Sequence, residues 1–283
     1  MTTLEVSQKI GKYRVLEVRE LPHLQGQYVR LLHEPTGAQH IHIACPDDNN
    51  AFCVSFLTVP QDSTGIAHIL EHIVLAGSER YPVRDPFFSM LPRSLATFMN
   101  ALTYPDRTAY PFSTRVEKDY YNLLEVYLDA CFFPRIDYET FRQEGWRYQF
   151  AELENPSSSL QYGGVVFNEM KGMMSTPAYV MFHNLGRAVF PGLTYANNSG
   201  GDPRHIPELT WEALKDFHAR HYHPSNAYFY TYGNLPLERT LAAIERYALA
   251  RFGRIDPGTA IPDQKRFSAP QRHEAVYPLA PNE

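Results

Sequence analysis

The chain has 283 residues, of which 44% are hydrophobic and 20% are charged, and its formal net charge is −5. This composition is ordinary for a globular protein with a sizeable core, and it argues against intrinsic disorder. The acidic balance and the lack of a basic stripe give no support to a nucleic-acid-binding role.

Targeting and cysteine patterns point to a reducing compartment. Neither a secretory signal nor an apolar run long enough to span a bilayer is visible, so we predict no membrane association and no secretion. The expected location is the cytoplasm of a bacterium or an organelle matrix of a eukaryote. Cys45, Cys53 and Cys131 show no C-x-x-C spacing and are odd in number, which predicts reduced, mostly buried thiols.

The first sixty residues predict β-structure. Extended runs at 13–18, 27–32, 40–44 and 52–56 are followed or separated by turn-forming residues, which favours antiparallel hairpins. The third run alternates histidine and isoleucine. We interpret its His40 and His42 as the polar face of a half-buried strand and not as a metal-binding pair.

The next segment predicts a helix that carries a pentapeptide motif. The sequence His68-Ile69-Leu70-Glu71-His72 lies in an apolar run over 63–77, for which Ser63 or Thr64 is the predicted cap.

Residues i and i+4 share one face of a helix, so His68 and His72 can converge on one metal ion with Glu71 beside it. The H-x-x-E-H order is the inverzincin signature, and zinc suits imidazole and carboxylate ligands. The alternative is an amphipathic helix on which these three residues are ordinary polar positions.

Patterns further along the chain predict an alternation of strands and helices. Strands are predicted at 97–103, 108–112 and 227–232, helices at 117–132, 138–146, 210–221 and 235–252, and a short strand passing into a helix at 165–172. Pro111 cannot donate to a strand ladder, which predicts a peripheral or kinked strand at that position. Prolines and a missing helical period predict a linker or strap over 254–283, after one domain over 1–253.

Two histidines leave a catalytic zinc site one protein ligand short, because such sites usually have three protein ligands and a water. Several downstream carboxylates qualify by residue type: Glu125, Glu139, Glu144, Glu152 and Glu154. Spacing alone does not choose among them.

Four segments, in this order, resemble the presequence-protease branch of the pitrilysin-type (M16) zinc metallopeptidases. They are the pentapeptide at 68–72, Ser94-Leu95-Ala96-Thr97-Phe98-Met99-Asn100-Ala101 with Thr103-Tyr104-Pro105-Asp106-Arg107-Thr108, Gly164-Val165-Val166-Phe167-Asn168-Glu169-Met170-Lys171-Gly172, and Ser199-Gly200-Gly201-Asp202-Pro203. The resemblance covers nearly the whole chain. It implies an α+β fold in which a mostly antiparallel sheet packs against helices on one face, in two layers.

The resemblance also implies roles for individual residues. It places the third zinc ligand at Glu169, beside His68 and His72, and makes Glu71 the general base that activates water. Asn100 and Ala101 match residues that line an edge strand on which a peptide substrate adds as a further strand. The implied substrates are short, unstructured peptides such as cleaved targeting peptides.

Length is where the chain departs from the family pattern. Peptidases of this branch are several times longer, and an arginine and a tyrosine from their far half are expected to bind the substrate carbonyl. We therefore expect an N-terminal domain alone that binds zinc, is weakly active or inactive by itself, has the remaining domains as partners, and self-associates through an exposed apolar face. The alternative function is that of a non-catalytic scaffold or core subunit with the same fold.

Overall fold

The computed structural model describes residues 4–275 and 277, and its architecture is a mixed sheet with eight α-helices. The strands are β1 Lys9–Ile10, β2 Tyr13–Leu21, β3 Gly26–His33, β4 Gln39–Ala44, β5 Asn50–Leu57, β6 Ala96–Met99, β7 Leu102–Thr103, β8 Arg107–Thr114, β9 Arg147–Phe150, β10 Leu160–Gly163 and β11 Ala227–Gly233. The helices are α1 Ile66–Val74, α2 Pro86–Met90, α3 Glu117–Phe132, α4 Tyr138–Glu144, α5 Val165–Met173, α6 Pro177–Val189, α7 Trp211–His221 and α8 Leu237–Tyr247. The α+β class is confirmed.

Nine strands form the main sheet in the order β1-β2-β3-β4-β11-β5-β8-β6, and β7 pairs with β8 beside β6. The two predicted hairpins β2–β3 and β3–β4 are antiparallel, as expected. The third predicted hairpin is wrong, because β11 lies between β4 and β5 and runs parallel to β4. The five residues 45–49 connect β4 to β5 across β11, a separation of about 10 Å between next-nearest strands.

Strand β5 shows how the sheet meets the helical layer. Its buried face consists of Phe52, Val54 and Phe56, each 0% exposed, as period-2 alternation requires. Phe56 meets Phe132 at the end of α3 with ring centroids 5.4 Å apart. The buried faces of α1 and α3 join the same apolar core, so the helix that carries the pentapeptide is held by tertiary packing.

Of the two alternatives predicted for the strand at Pro111, peripheral or kinked, the first is wrong, because β8 pairs with β5 on one side and with β6 and β7 on the other. Pro111 is tolerated where its neighbour is interrupted, between Met99 and Leu102. Its carbonyl accepts from the Asn100 N–H at 3.1 Å. The N–H that proline lacks would have faced Asn100, whose carbonyl lies 3.5 Å from the Tyr127 hydroxyl.

Several predicted boundaries also differ from the structure. Helix α1 starts after Gly65, which has a left-handed φ of 73°, and it has no side-chain cap. Ser63 instead accepts a hydrogen bond from the backbone of Asn198, and Thr64 bonds to Asp62. The short strand predicted at the start of 165–172 is wrong as well: α5 already begins at Val165, and the preceding strand β10 ends at Gly163.

His40 and His42 lie on the buried face of β4, at 0% and 5% exposure, and not on a polar face as predicted. Both rings hydrogen bond to the Thr231 hydroxyl on the neighbouring strand at 2.8 Å, which satisfies one nitrogen of each ring.

Residues 254–275 continue without helix or strand, which resembles the predicted strap, and their first part is tied to the body of the domain. The Ile255 N–H donates to the Ser225 hydroxyl at 3.0 Å, and the buried Thr259 hydroxyl donates to the Asn226 side chain at 2.9 Å. The end of the predicted strap, at 276 and 278–283, lies outside the described residues. Among the described helices, none is both long and apolar enough to cross a membrane.

Candidate metal centre

Helix α1 presents the two histidines of the pentapeptide on its less buried side. Its opposite side is anchored by Ile69, Leu70 and Ile73, which are 0% exposed. The rings of His68 and His72 lie one turn apart with centroids separated by 5.0 Å. The apolar anchor therefore orients both imidazoles toward the same space, as the helical period predicted.

Glu169 on α5 reaches into that space. Its Oε2 lies 3.7 Å from Nε2 of His68 and 3.9 Å from Nε2 of His72. One ligand atom from each of the three side chains lies within 4.8 Å of the others. In residues 4–275 and 277, no other group of three His, Cys, Asp or Glu side chains meets that criterion.

The inner nitrogens of both histidines have partners of their own. His68 Nδ1 lies 3.0 Å from the Gly200 carbonyl, and His72 Nδ1 lies 3.1 Å from Oε2 of Glu144. Both partners accept hydrogen bonds, so in the neutral form of each ring Nδ1 carries the proton and Nε2 keeps a free lone pair. Both lone pairs are therefore available on the side of Glu169.

Three carboxylates surround His72. Burial alone would lower the pKa of His72, but the hydrogen bond to Glu144 and the charges of Glu71, Glu144 and Glu169 together raise it. Burial would likewise raise the pKa of Glu144, but its hydrogen bonds to His72 and Gln143 hold it below its ordinary value. A cluster of three carboxylates and two imidazoles has an excess of negative charge that a divalent cation would neutralise.

The three donor atoms fit a zinc ion. Tetrahedral zinc with ligands at 2.0–2.1 Å requires donor atoms about 3.4 Å apart, a few tenths of an ångström less than the separations between Glu169 and the two histidines. Two imidazoles and one carboxylate also make up the ligand set of catalytic zinc sites, which leave one position for water. Glu169 is 49% exposed at its side chain, so that position can face solvent.

Glu71 lies beside this group on α1 and is 8% exposed. The Thr103 hydroxyl donates to its Oε2 at 2.6 Å. Thr103 belongs to β7, so a sheet strand orients the carboxylate on the helix. This hydrogen bond keeps one oxygen of Glu71 in a defined direction and leaves the other free to accept a proton.

A cavity of about 500 Å³ contains the cluster. His68, Glu71 and Glu169 line it together with Asn100 and Ala101, the residues between β6 and β7. Strand β6 is an edge of the main sheet, with β8 as its neighbour. The structure thus places the two predicted substrate-binding residues at a sheet edge that opens onto the histidines.

The structure brings together the residues that the family resemblance implies for this site, and it adds three partners to which no role was assigned. Glu144 was one of five carboxylates considered by type, and it lies at the inner nitrogen of His72 instead of among the outer donors. Thr103 and Gly200 stood inside the quoted motifs without an assigned role. Their roles depend on contacts between segments 32 and 132 residues apart, which no local pattern reports.

Two family models match the chain. The model described as "Insulinase (Peptidase family M16)" covers residues 57–160, which include the pentapeptide, and "Peptidase M16 inactive domain" covers residues 208–280. The solved structure of pitrilysin superposes with a TM-score of 0.65 over 86% of this chain and 25% of its own length, at 21% identity. A protease from Helicobacter pylori gives a TM-score of 0.67 over 85% of this chain and 54% of its own, at 18% identity, which supports the fold. The chain therefore belongs to the M16 peptidase family.

Within the family, the chain is similar to presequence proteases. It is 53% identical over 266 residues to the mitochondrial presequence protease of Xenopus laevis. This aligned region covers 94% of this chain and 26% of the Xenopus protein. The corresponding protein of Schizosaccharomyces pombe is 49% identical over 85% of this chain and 24% of its own length. A bacterial relative, "Protein HypA" of Clostridium perfringens, is 42% identical over 96% of this chain and 28% of its own. The chain spans about a quarter of the length of these curated relatives.

Proposed function

We propose that this chain carries the metal site of a zinc metalloendopeptidase, with His68, His72 and Glu169 as ligands and Glu71 as general base. The observation that carries the proposal is the convergence of two Nε2 atoms on Glu169 Oε2, at 3.7 and 3.9 Å, beside a buried glutamate. The M16 family is generally zinc-dependent, which supports zinc as the ion.

The chain's own residues can perform the proton transfers of peptide hydrolysis. When bound, zinc supplies Lewis acidity that lowers the pKa of water and polarises a carbonyl group. Glu71 takes a proton from the attacking water through the oxygen that Thr103 leaves free, and returns it to the leaving amine nitrogen. The hydrogen bond from Thr103 holds the carboxylate in place during both transfers.

We infer that the substrates are short, unstructured peptides that add to the edge strand β6. Backbone pairing at a sheet edge accepts varied sequences, because the hydrogen bonds involve main-chain groups only. Asn100 and Ala101 continue this edge into the cavity and are the proposed substrate-binding residues. The name of the similar presequence proteases supports targeting peptides as one substrate class. A carboxylate-rich cavity also favours peptides with basic residues.

Domain organisation and location follow as further parts of the proposal. We propose one M16-type domain over 1–253 and a strap over 254–283 that leads toward further domains, which would be the partners of this one. Because the chain spans about a quarter of its relatives, we expect slow peptide hydrolysis by the chain alone, at a rate reduced by about 100- to 1,000-fold if transition-state donors lie elsewhere. Relatives named as mitochondrial and a bacterial relative support a matrix or cytoplasmic location.

Metal content tests the site directly. The chain, purified without chelators, should bind one zinc ion, measured by elemental analysis and by competition with a chromogenic chelator. His68→Ala should abolish tight binding, and Glu71→Gln should retain zinc while losing any cleavage of a fluorogenic unstructured peptide. His23→Ala, at an exposed histidine outside the cavity, is the matched control.

The same measurements separate the enzyme from a non-catalytic scaffold of the same fold. A chain that binds no zinc, or whose zinc binding is unaffected by His68→Ala, would contradict the proposed site. Cleavage that persists at the original rate in Glu71→Gln would contradict the role of Glu71 as the base.

A further inference from the structure

The segment Asn198–Asp202, which we name the glycine loop, contacts a histidine of the proposed metal site. The carbonyl of Gly200 lies 3.0 Å from Nδ1 of His68. A carbonyl can only accept a hydrogen bond, so this contact selects the tautomer of His68 that has its lone pair on Nε2. That lone pair is the one available on the side of Glu169.

The glycine loop is itself tied to the residues that precede α1. The Asp202 N–H donates to the Ser63 carbonyl at 2.8 Å, and the Asn198 N–H donates to the Ser63 hydroxyl at 3.1 Å. Asn198 is 4% exposed, and its side-chain oxygen accepts from the Tyr179 hydroxyl at 2.9 Å. The loop carbonyl therefore has a defined position relative to the start of α1.

Close backbone packing explains the glycines. Gly65, at the start of α1, has a left-handed φ of +73°, and a Cβ there would lie 2.8 Å from Gly201 Cα and 2.9 Å from the Gly200 oxygen. A Cβ on Gly200 would lie 2.9 Å from the sulfur of Met170, the residue next to Glu169. The glycine loop thus fills the space between α1 and α5, the two helices that carry the donor atoms.

We propose that the glycine loop is a positioning element for the metal site, with Gly65 and Gly200 as positioning residues. The loop fixes the tautomer and direction of His68 and sets the distance between α1 and α5. None of its residues contributes a ligand. This inference rests on the proposed zinc site. It states that the metal affinity of that site depends on a segment about 130 residues away from His68 in the sequence.

Gly65→Ala tests the proposal, because the added methyl group displaces the Gly200 carbonyl without altering any ligand. We expect the zinc dissociation constant to rise by about 10- to 100-fold, the usual effect of losing an outer partner of a metal-binding histidine. The visible absorption of the cobalt(II)-substituted chain should weaken as tetrahedral geometry is lost. Both measurements are independent of peptidase activity.

Two control substitutions separate positioning from backbone strain. Gly11 and Gly192 also have left-handed φ values, +57° and +87°, but no described atom lies within 4 Å of a Cβ built on either of them. Gly11→Ala and Gly192→Ala therefore introduce comparable strain away from the site. Zinc affinity and the cobalt spectrum should be unchanged in both.

A milder variant keeps the proposal testable if Gly65→Ala does not fold. Gly200 has no left-handed φ, and its added methyl group comes closest to the flexible end of Met170, with the Asn198 side-chain oxygen next at 3.4 Å, so Gly200→Ala should fold with a smaller loss of affinity. Wild-type zinc affinity in every variant that folds, as judged by circular dichroism, would overturn the positioning role while leaving the zinc site intact. A lack of zinc binding by the unsubstituted chain would instead overturn the site itself.

Discussion

His72 and His68 are supported by different chemical groups. The neutral carbonyl of Gly200 holds His68, whereas the carboxylate of Glu144 holds His72. Glu144 is in turn bound through its other oxygen by the Gln143 amide at 2.9 Å. A carboxylate partner increases the basicity of an imidazole ligand and fixes its ring, so His72 should be the stronger donor of the two.

Glu144→Gln should weaken zinc binding without removing a ligand. The amide oxygen can still accept from His72, but the negative charge is lost, and we expect the dissociation constant to rise by about 10- to 100-fold. Competition with a chelator measures the change. Glu139→Gln, the same substitution on the same helix at a side chain that is 81% exposed, is the control. Equal affinity in the two variants would show that the charge on Glu144 does not contribute.

Individual site residues differ in how far the sequence predicted them. The helical period predicted the shared direction of His68 and His72, because it depends only on local geometry. Glu169 followed from family resemblance alone, since nothing local distinguishes it from other carboxylates 53 to 82 residues beyond His72. The contacts of Glu144 and Thr103 required the tertiary structure, because they join separate elements.

At the scale of elements, α1 serves as a rigid support because it is short and heavily buried. Its nine residues include Ile69, Leu70, Ile73 and Val74, all 0% exposed. An isolated helix of this length is not stable in water, so packing of this face maintains it. The geometry of the two histidines therefore depends on core residues that touch no ligand.

Leu70→Ala should destabilise the domain by about 2–5 kcal/mol, through lost burial and the cavity that remains. Urea unfolding followed by circular dichroism, with a chelator present to remove any metal contribution, measures the loss. Leu153→Ala, at a side chain that is 75% exposed, should change stability by less than about 0.5 kcal/mol. A similar small effect at Leu70 would mean that α1 does not depend on this packing.

The secondary-structure predictions were correct where the local sequence pattern determines the element, and wrong where a distant segment takes part in the pairing. Helix α3 has the predicted limits, Glu117–Phe132, because acidic residues mark its first turn and its apolar spacing is regular. The third hairpin failed because β11, about 180 residues later, inserts between β4 and β5. Helix α6 was not predicted, and all of its thirteen residues are at least partly exposed, so it adds no buried side chain to the core.

For the molecule as a whole, buried histidines make stability dependent on pH. Burial, reinforced by the charge of His42, lowers the pKa of His40 to about 3. Burial also lowers the pKa of His42 and of His218 to about 4, against the opposing hydrogen bonds to Thr231 and to the Cys131 carbonyl. Each of these three rings is therefore neutral in the folded state well below the ordinary histidine pKa of 6.5.

The domain should consequently lose stability as the pH falls from 7 to 5. Below pH 6.5 the unfolded chain binds protons that the folded chain does not, so each of the three histidines should reduce the free energy of unfolding by about 2 kcal/mol over this interval. Urea titrations at the two pH values, with a chelator present, measure the loss. His218→Gln should reduce the difference in unfolding free energy between the two pH values by about 2 kcal/mol, whereas His23→Gln, at an exposed position, should leave that difference unchanged. Equal unfolding free energies at pH 7 and pH 5 would show that the three rings acquire protons without unfolding, and hence that their burial does not control the acid stability of the fold.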